Sequence, residues 1–146
     1  MATKYLPDDD HVVRHITPNS IERDGDQIKG IFPQAFRLRE EEEYLSASWL
    51  EFFDGTKHER LKATRAAMSA ARVVRPSHVL AVGNVSAVKD ACKEFGLKIR
   101  ICHEPASDNP NPAYTAVRRF KSDNDQLLEL LSSESWSELF EAKNLI

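Results

Sequence analysis

The sequence predicts an α/β domain with a parallel βαβ core, an N-terminal extended or hairpin unit and flanking helices. Three observations carry that expectation. His78–Val82 is a compact apolar run followed by the turn signal Gly83–Asn84. Ser86–Phe95 repeats apolar residues at helical spacing, placing Val85, Val88, Cys92 and Phe95 on one face. After Gly96, which suits a helix end, Leu97–Cys102 alternates Leu97, Ile99 and Ile101 at period two. A strand, helix and strand of this length predict a right-handed crossover between parallel neighbours.

The remaining elements follow in chain order. Residues 1–10 read as an acidic tail around Asp8–Asp9–Asp10, and 11–146 as one α/β domain. His11–Ile16 reads as a strand that Pro18, Asn19 and Ser20 interrupt. Asp24–Gly25–Asp26 marks a turn before the extended run Gln27–Phe32, which Pro33 ends, so a hairpin-like unit is expected. Two periods compete in Glu40–Phe53. Leu45, Trp49 and Phe52 recur at helical spacing behind four glutamates that would favour the positive end of a helix dipole. Tyr44–Trp49 also alternates at period two, but we read 40–53 as helix, ending at Asp54–Gly55.

Thr56–Val74 is the clearest helical segment. On a wheel, Ala63, Ala66, Ala67, Ala70, Val73 and Val74 share one side, suited to close packing against a sheet or helix. Lys57, Arg60, Arg65, Arg72 and Arg75 share the other, interrupted by Leu61 and Met68. Arg75–Pro76 stops the helix, because the residue before proline is pushed out of the α region. The loop Glu104–Pro112 contains three prolines and is irregular. Ala113–Phe120 returns as a strand, Ser122 caps a helix carrying Leu127, Leu128 and Leu131, and Ser135–Asn144 closes the fold as a short helix.

Composition narrows the class. The 146 residues suit one domain, and 29% charged with 41% hydrophobic residues argues against wholesale disorder. Apolar runs such as Val79–Val82 are too short to span a bilayer. Asp8–Asp10 stands where a signal peptide needs an apolar stretch. Cys92 and Cys102 are too few for a disulfide scaffold; a bridge between them stays open, with a reducing cytoplasm expected.

Charge is partitioned along the chain. Residues 56–121 carry 13 Lys/Arg against 5 Asp/Glu, residues 1–55 carry 6 against 12, and residues 122–146 carry 1 against 6. A basic centre between acidic flanks fits an acidic partner, nucleic acid, or neutralisation of the middle by the chain's own ends.

Ligands in open α/β sheets collect beyond the C-terminal ends of parallel strands. There Gly83, Asn84 and Ser86 would meet His103 and Asn109, at a helix N-terminus that favours an anion. The competing reading is purely structural: Gly83 allows a tight turn, Asn84 or Ser86 caps a helix, and His103 hydrogen-bonds at the surface. Neither a G-x-G-x-x-G series nor a G-K-[ST] motif occurs. His15 and His103 are candidates for a base and an acid, with Glu104 beside them and Arg14 or Arg100 to stabilise phosphate charge. That set would make a metal-independent phosphodiesterase or nuclease. A zinc site from His11, His15 and His103 has no supporting spacing, His58 and His78 belong to separate elements, and no metal or cofactor is expected.

The basic helix supplies the other candidates. Lys57, Arg60, Leu61, Arg65, Met68, Arg72 and Arg75 form a partner-binding stripe, since apolar residues inside a charged stripe prefer to be covered. The expected function is a small cytoplasmic protein-interaction module working with a larger partner that offers an acidic surface. The phosphodiesterase is one alternative and non-catalytic nucleic-acid binding another. A pI near 6.0, and aromatics not interleaved with the basic residues, weigh against nucleic acid. No membrane association is expected.

Overall fold

The computed structural model describes residues 4–146. Its strands are β1 (Lys4–Tyr5), β2 (His11–Ile16), β3 (Ile21–Asp24), β4 (Gln27–Ile31), β5 (Leu45–Trp49), β6 (Val79–Asn84), β7 (Arg100–His103), β8 (Tyr114–Arg118) and β9 (Glu138–Glu141). Its helices are α1 (Lys57–Ala71), α2 (Val85–Glu94) and α3 (Asp125–Leu130). Seven strands form one sheet in the order β1-β7-β8-β5-β2-β6-β9, and β3 with β4 forms a separate hairpin. Every strand pair is antiparallel.

This overturns the expected parallel βαβ core. β6, α2 and β7 do form a strand, helix and strand, and the two strands run the same way. However, β2, β5 and β8 lie between them, each antiparallel to its neighbours. The crossover therefore spans the sheet instead of joining adjacent strands. Periodicity identifies a strand but says nothing about what inserts beside it.

Alternation along the strands divides the core. Val12 and Ile16 of β2, with Val79 and Ala81 of β6, face the larger core under α2, α3 and Trp136. Val13, Leu80 and Val82 face a smaller core covered by α1, Leu50 and Leu145. Gly83 lies on the larger-core face. A Cβ there would stand 2.8 Å from Cγ of Trp136, whose indole N–H donates to Ala81 O at 3.0 Å. Glycine at 83 lets the tryptophan lie against the strand.

Several local expectations change. Leu45–Trp49 is a strand, not a helix: Leu45, Ala47 and Trp49 all enter the larger core, and pairing with β8 and β2 satisfies the backbone on both sides. The period-two pattern wins because both edges find partners. Ser135–Asn144 likewise contains the edge strand β9, paired to β6, and then a 3-10 turn. Asn124, not Ser122, caps α3, through N–H groups of Gln126 and Leu127; Ser122 Oγ accepts the Leu38 N–H instead. The hairpin forms between β3 and β4, turning at Gly25 with φ +61°, while His11–Ile16 joins the large sheet.

Residues 4–10 are tied into the fold, and residues 1–3 of the expected tail lie outside the described residues. β1 pairs with β7, Leu6 is buried, and the Asp8 and Asp10 carbonyls reach α2.

Helix α1 is rotated relative to expectation. Thr56 and Glu59 form a reciprocal capping box at its start. Leu61, Thr64 and Met68 are its buried residues, so the stripe carrying Leu61 and Met68 faces the sheet. Ala66 and Ala70 are exposed, and Val73 is 67% exposed. Two large side chains bury more apolar area than a row of alanine methyls, and that difference sets the orientation. The neighbouring cations are thereby drawn against the protein.

Candidate functional site

A cluster of arginines lies where β2 and β5 part. Their pairing is confined to Val12 with Trp49 and Val13 with Ser48. Beyond it, the Arg14 guanidinium spans the gap, donating from Nε to Ala35 O and from Nη1 to Ser46 O, each at 2.8 Å. Ala35 is positioned by the 3-10 turn Pro33–Phe36, and Phe36 packs on Trp136 with ring centroids 5.1 Å apart. Arg14 is thus held from both sides by the backbone.

Beside it opens a groove of about 800 Å3 lined by Arg14, His15, Arg37, Arg39, Glu42 and Arg72, among others. Three segments distant in sequence supply the cations: β2, the connection before β5, and the residue ending α1. Arg37 is engaged by Asp125 at 3.0 Å. The Arg39 and Arg72 side chains make no hydrogen bond or ion pair among the described residues. Glu42 accepts the Arg39 backbone N–H at 2.8 Å and forms no ion pair with an arginine. Burial lowers Arg14 to about 10; Glu42 opposes the shift, and Arg72 and Arg39 add to it.

His15 lines the same groove, with its Nε2 2.6 Å from Nδ1 of His78. The Arg75 backbone N–H also points at that Nδ1, at 3.2 Å. A backbone N–H can only donate, so His78 Nδ1 is the acceptor and His15 Nε2 carries the proton. Burial, then His78, Arg72 and Arg14, push His15 down to about 4; burial and Arg75 lower His78 as well. Both imidazoles are neutral near pH 7. The groove continues into a recess of about 40 Å3 that shares His15, Ser46 and Arg72 and reaches Asn109, Asn111 and Tyr114. There Tyr114 Oη and Ser46 Oγ lie 2.9 Å apart.

The predicted Gly83/His103 corner does not assemble. β6 and β7 are four strand spacings apart, about 19 Å at ordinary sheet geometry. The start of α2 is already occupied: Val85 N–H donates to Asp10 O, Ser86 N–H to Asp8 O, and Ala87 N–H to Asn84 Oδ1. His103 is 2.8 Å from Pro112 O and packs on Trp49 and Phe52. Glu104 grips Arg118 with both oxygens. Asn109 accepts the Asn111 N–H and lines the recess.

Nor can His15 and His103 act as an acid–base pair. The register places His103 with Thr115, and Thr115 with Ala47, on the larger-core face, whereas His15 shares the opposite face with Val13. The same separation prevents His11, His15 and His103 from converging on a metal; His11 is paired with Glu51 at 2.7 Å. Arg100 donates to the Tyr5 hydroxyl at 3.2 Å.

The basic stripe of α1 also divides. Lys57 pairs with Glu138 at 2.6 Å, Arg60 donates to Phe53 O, and Leu61 and Met68 are core residues. Arg65 Nε is buried without a partner among the described residues. Arg75 contributes its backbone N–H to His78, and Arg72 alone of the stripe reaches the groove. Sequence reasoning missed Arg37, Arg39, Glu42 and Ser46. Their one signal was the Arg37-Leu38-Arg39 spacing behind Pro33, in a connection where binding residues often sit.

The fold and groove together define an antiparallel sheet domain with helices on both faces and a cationic cleft between two of its strands. No protein-family model, curated protein or solved structure matches the chain. No helix among the described residues is long and apolar enough to cross a membrane.

Proposed function

We propose that the protein is a binding module that engages an acidic segment of a larger protein partner in the Arg14–Arg39–Arg72 groove. The observation that carries this reading is the set of guanidinium groups around one open groove whose single carboxylate, Glu42, pairs with none of them. Arg14 is half-buried without an ion-pair partner among the described residues, and the exposed Arg39 and Arg72 side chains stand unpaired beside it, so an incoming carboxylate or other oxyanion would be stabilised there. Cys92 and Cys102 are unbridged, which fits work in a reducing cytoplasm.

The test is an NMR titration of isotope-labelled protein with a glutamate-rich peptide. Shifts should gather at the amides of Arg14, His15, Arg39 and Arg72 and vanish in an Arg39→Glu/Arg72→Glu variant. Shifts confined elsewhere, or undiminished in the variant, would overturn the proposal. Preferential binding of single-stranded RNA or DNA at the same residues would replace the protein partner with nucleic acid.

A further inference from the structure

We infer that the group held at the centre of this groove is a phosphate monoester carried on the partner's chain, an inference that rests on the acidic-segment reading above. The separate origins of the cations support it. Arg14 stands on β2, Arg39 on the connection before β5 and Arg72 at the end of α1, and all three line the groove. Arg14 already spends Nε and Nη1 on Ala35 O and Ser46 O, leaving Nη2 with no protein partner among the described residues.

A carboxylate is planar, carries one charge and is satisfied by one guanidinium fork. In the groove Glu42 accepts the Arg39 backbone N–H and forms no ion pair with Arg14, Arg39 or Arg72. A phosphoryl group instead spreads three strong acceptor oxygens in a tetrahedral arrangement and carries about −1.5 to −2 charge at neutral pH. Three guanidinium groups placed around one groove by separate elements can supply donors to three such oxygens, more than a planar carboxylate can accept. A phosphodiester backbone offers one charge per phosphate and normally brings bases that need stacking surfaces. Among the described residues, the main groove is lined by no Phe, Tyr or Trp, and its one ring, His15, is engaged by His78; Tyr114 appears only in the inner recess.

The experiment compares labelled peptides of one sequence, flanked by glutamates, with serine, glutamate or phosphoserine at the central position. A single-stranded oligonucleotide is the fourth probe. Fluorescence anisotropy at low salt should show the phosphoserine peptide binding about tenfold more tightly than the glutamate peptide. Arg39→Ala and Arg72→Ala should each remove most of that preference, and inorganic phosphate should compete. Both side chains are exposed, and circular dichroism checks that the variants keep the fold. Equal binding of the glutamate and phosphoserine peptides would overturn the phosphate inference while leaving the acidic-segment reading standing. Absence of binding by every peptide, or a phosphoserine preference that survives both substitutions, would overturn both. Tighter binding of the oligonucleotide would also overturn both, because the partner would then be nucleic acid.

Discussion

His15 donates its Nε2 proton to Nδ1 of His78 across 2.6 Å, and the Arg75 N–H shares the same lone pair. Burial first, and then His78 and the guanidinium groups of Arg72 and Arg14, hold His15 neutral, titrating near 4 against an ordinary value of 6.5. A depressed histidine pKa means that the unfolded chain binds a proton more readily than the folded one. The neutral-histidine contribution is present above pH 6.5, declines as pH falls, and is lost below about 4. We expect the stability difference between wild type and a His15→Gln variant to shift against wild type across that window. Denaturant melts at pH 7, 5.5 and 4 check it; a difference independent of pH would refute the assignment.

Gly83 serves packing. A Gly83→Ala methyl would stand 2.8 Å from Trp136 Cγ and 3.0 Å from Ser135 O. Overpacking of this kind costs about 1–3 kcal/mol. Calorimetry should show a lowered Tm, while phosphate and acidic-peptide affinity stay unchanged. An unaltered Tm with impaired anion binding would restore the glycine to a ligand site.

The orientation of α1 is tested by opposite faces of the helix. Leu61 is 1% exposed, so Leu61→Ala should cost about 2–5 kcal/mol in urea denaturation. Ala70→Gln, on the outward side, should change stability by less than about 0.5 kcal/mol. Comparable losses at the two positions would contradict the observed packing.

Asn84 joins the N-terminal segment to α2. Its Oδ1 accepts the Ala87 N–H, and its Nδ2 donates to the carbonyls of Asp8 and Asp10. Asn84→Ala should cost about 1–2 kcal/mol, typical of a lost cap. Amide exchange should quicken at Val85–Ala87 first, because those N–H groups depend on the same junction.

Much of the local structure was legible in the residues. His11–Ile16 is a strand with those bounds, Asn84 caps α2, and Asp24–Gly25–Asp26 turns a hairpin. Such features depend on side-chain period, capping chemistry and turn geometry, all set within a few residues. The site was much less legible. Arg14, His15, Asn109 and Arg72 were foreseen individually, but Arg37, Arg39, Glu42 and Ser46 were not.

Strand order, and with it the groove, was decided only by tertiary structure. Nothing within His78–Cys102 signals that β2, β5 and β8 will stand between its two strands. Hydrogen bonding along a strand edge accepts any compatible backbone, so the partner is selected by the packing of the whole sheet. The same packing turns Leu61 and Met68 inward, carries the basic side of α1 with them, and leaves Arg72 facing Arg14 and Arg39. Composition revealed that the chain has a basic centre. Only the sheet could bring the cations from positions 14, 37–39 and 72 to one place, because charge convergence depends on distance in space, and sequence records only distance along the chain.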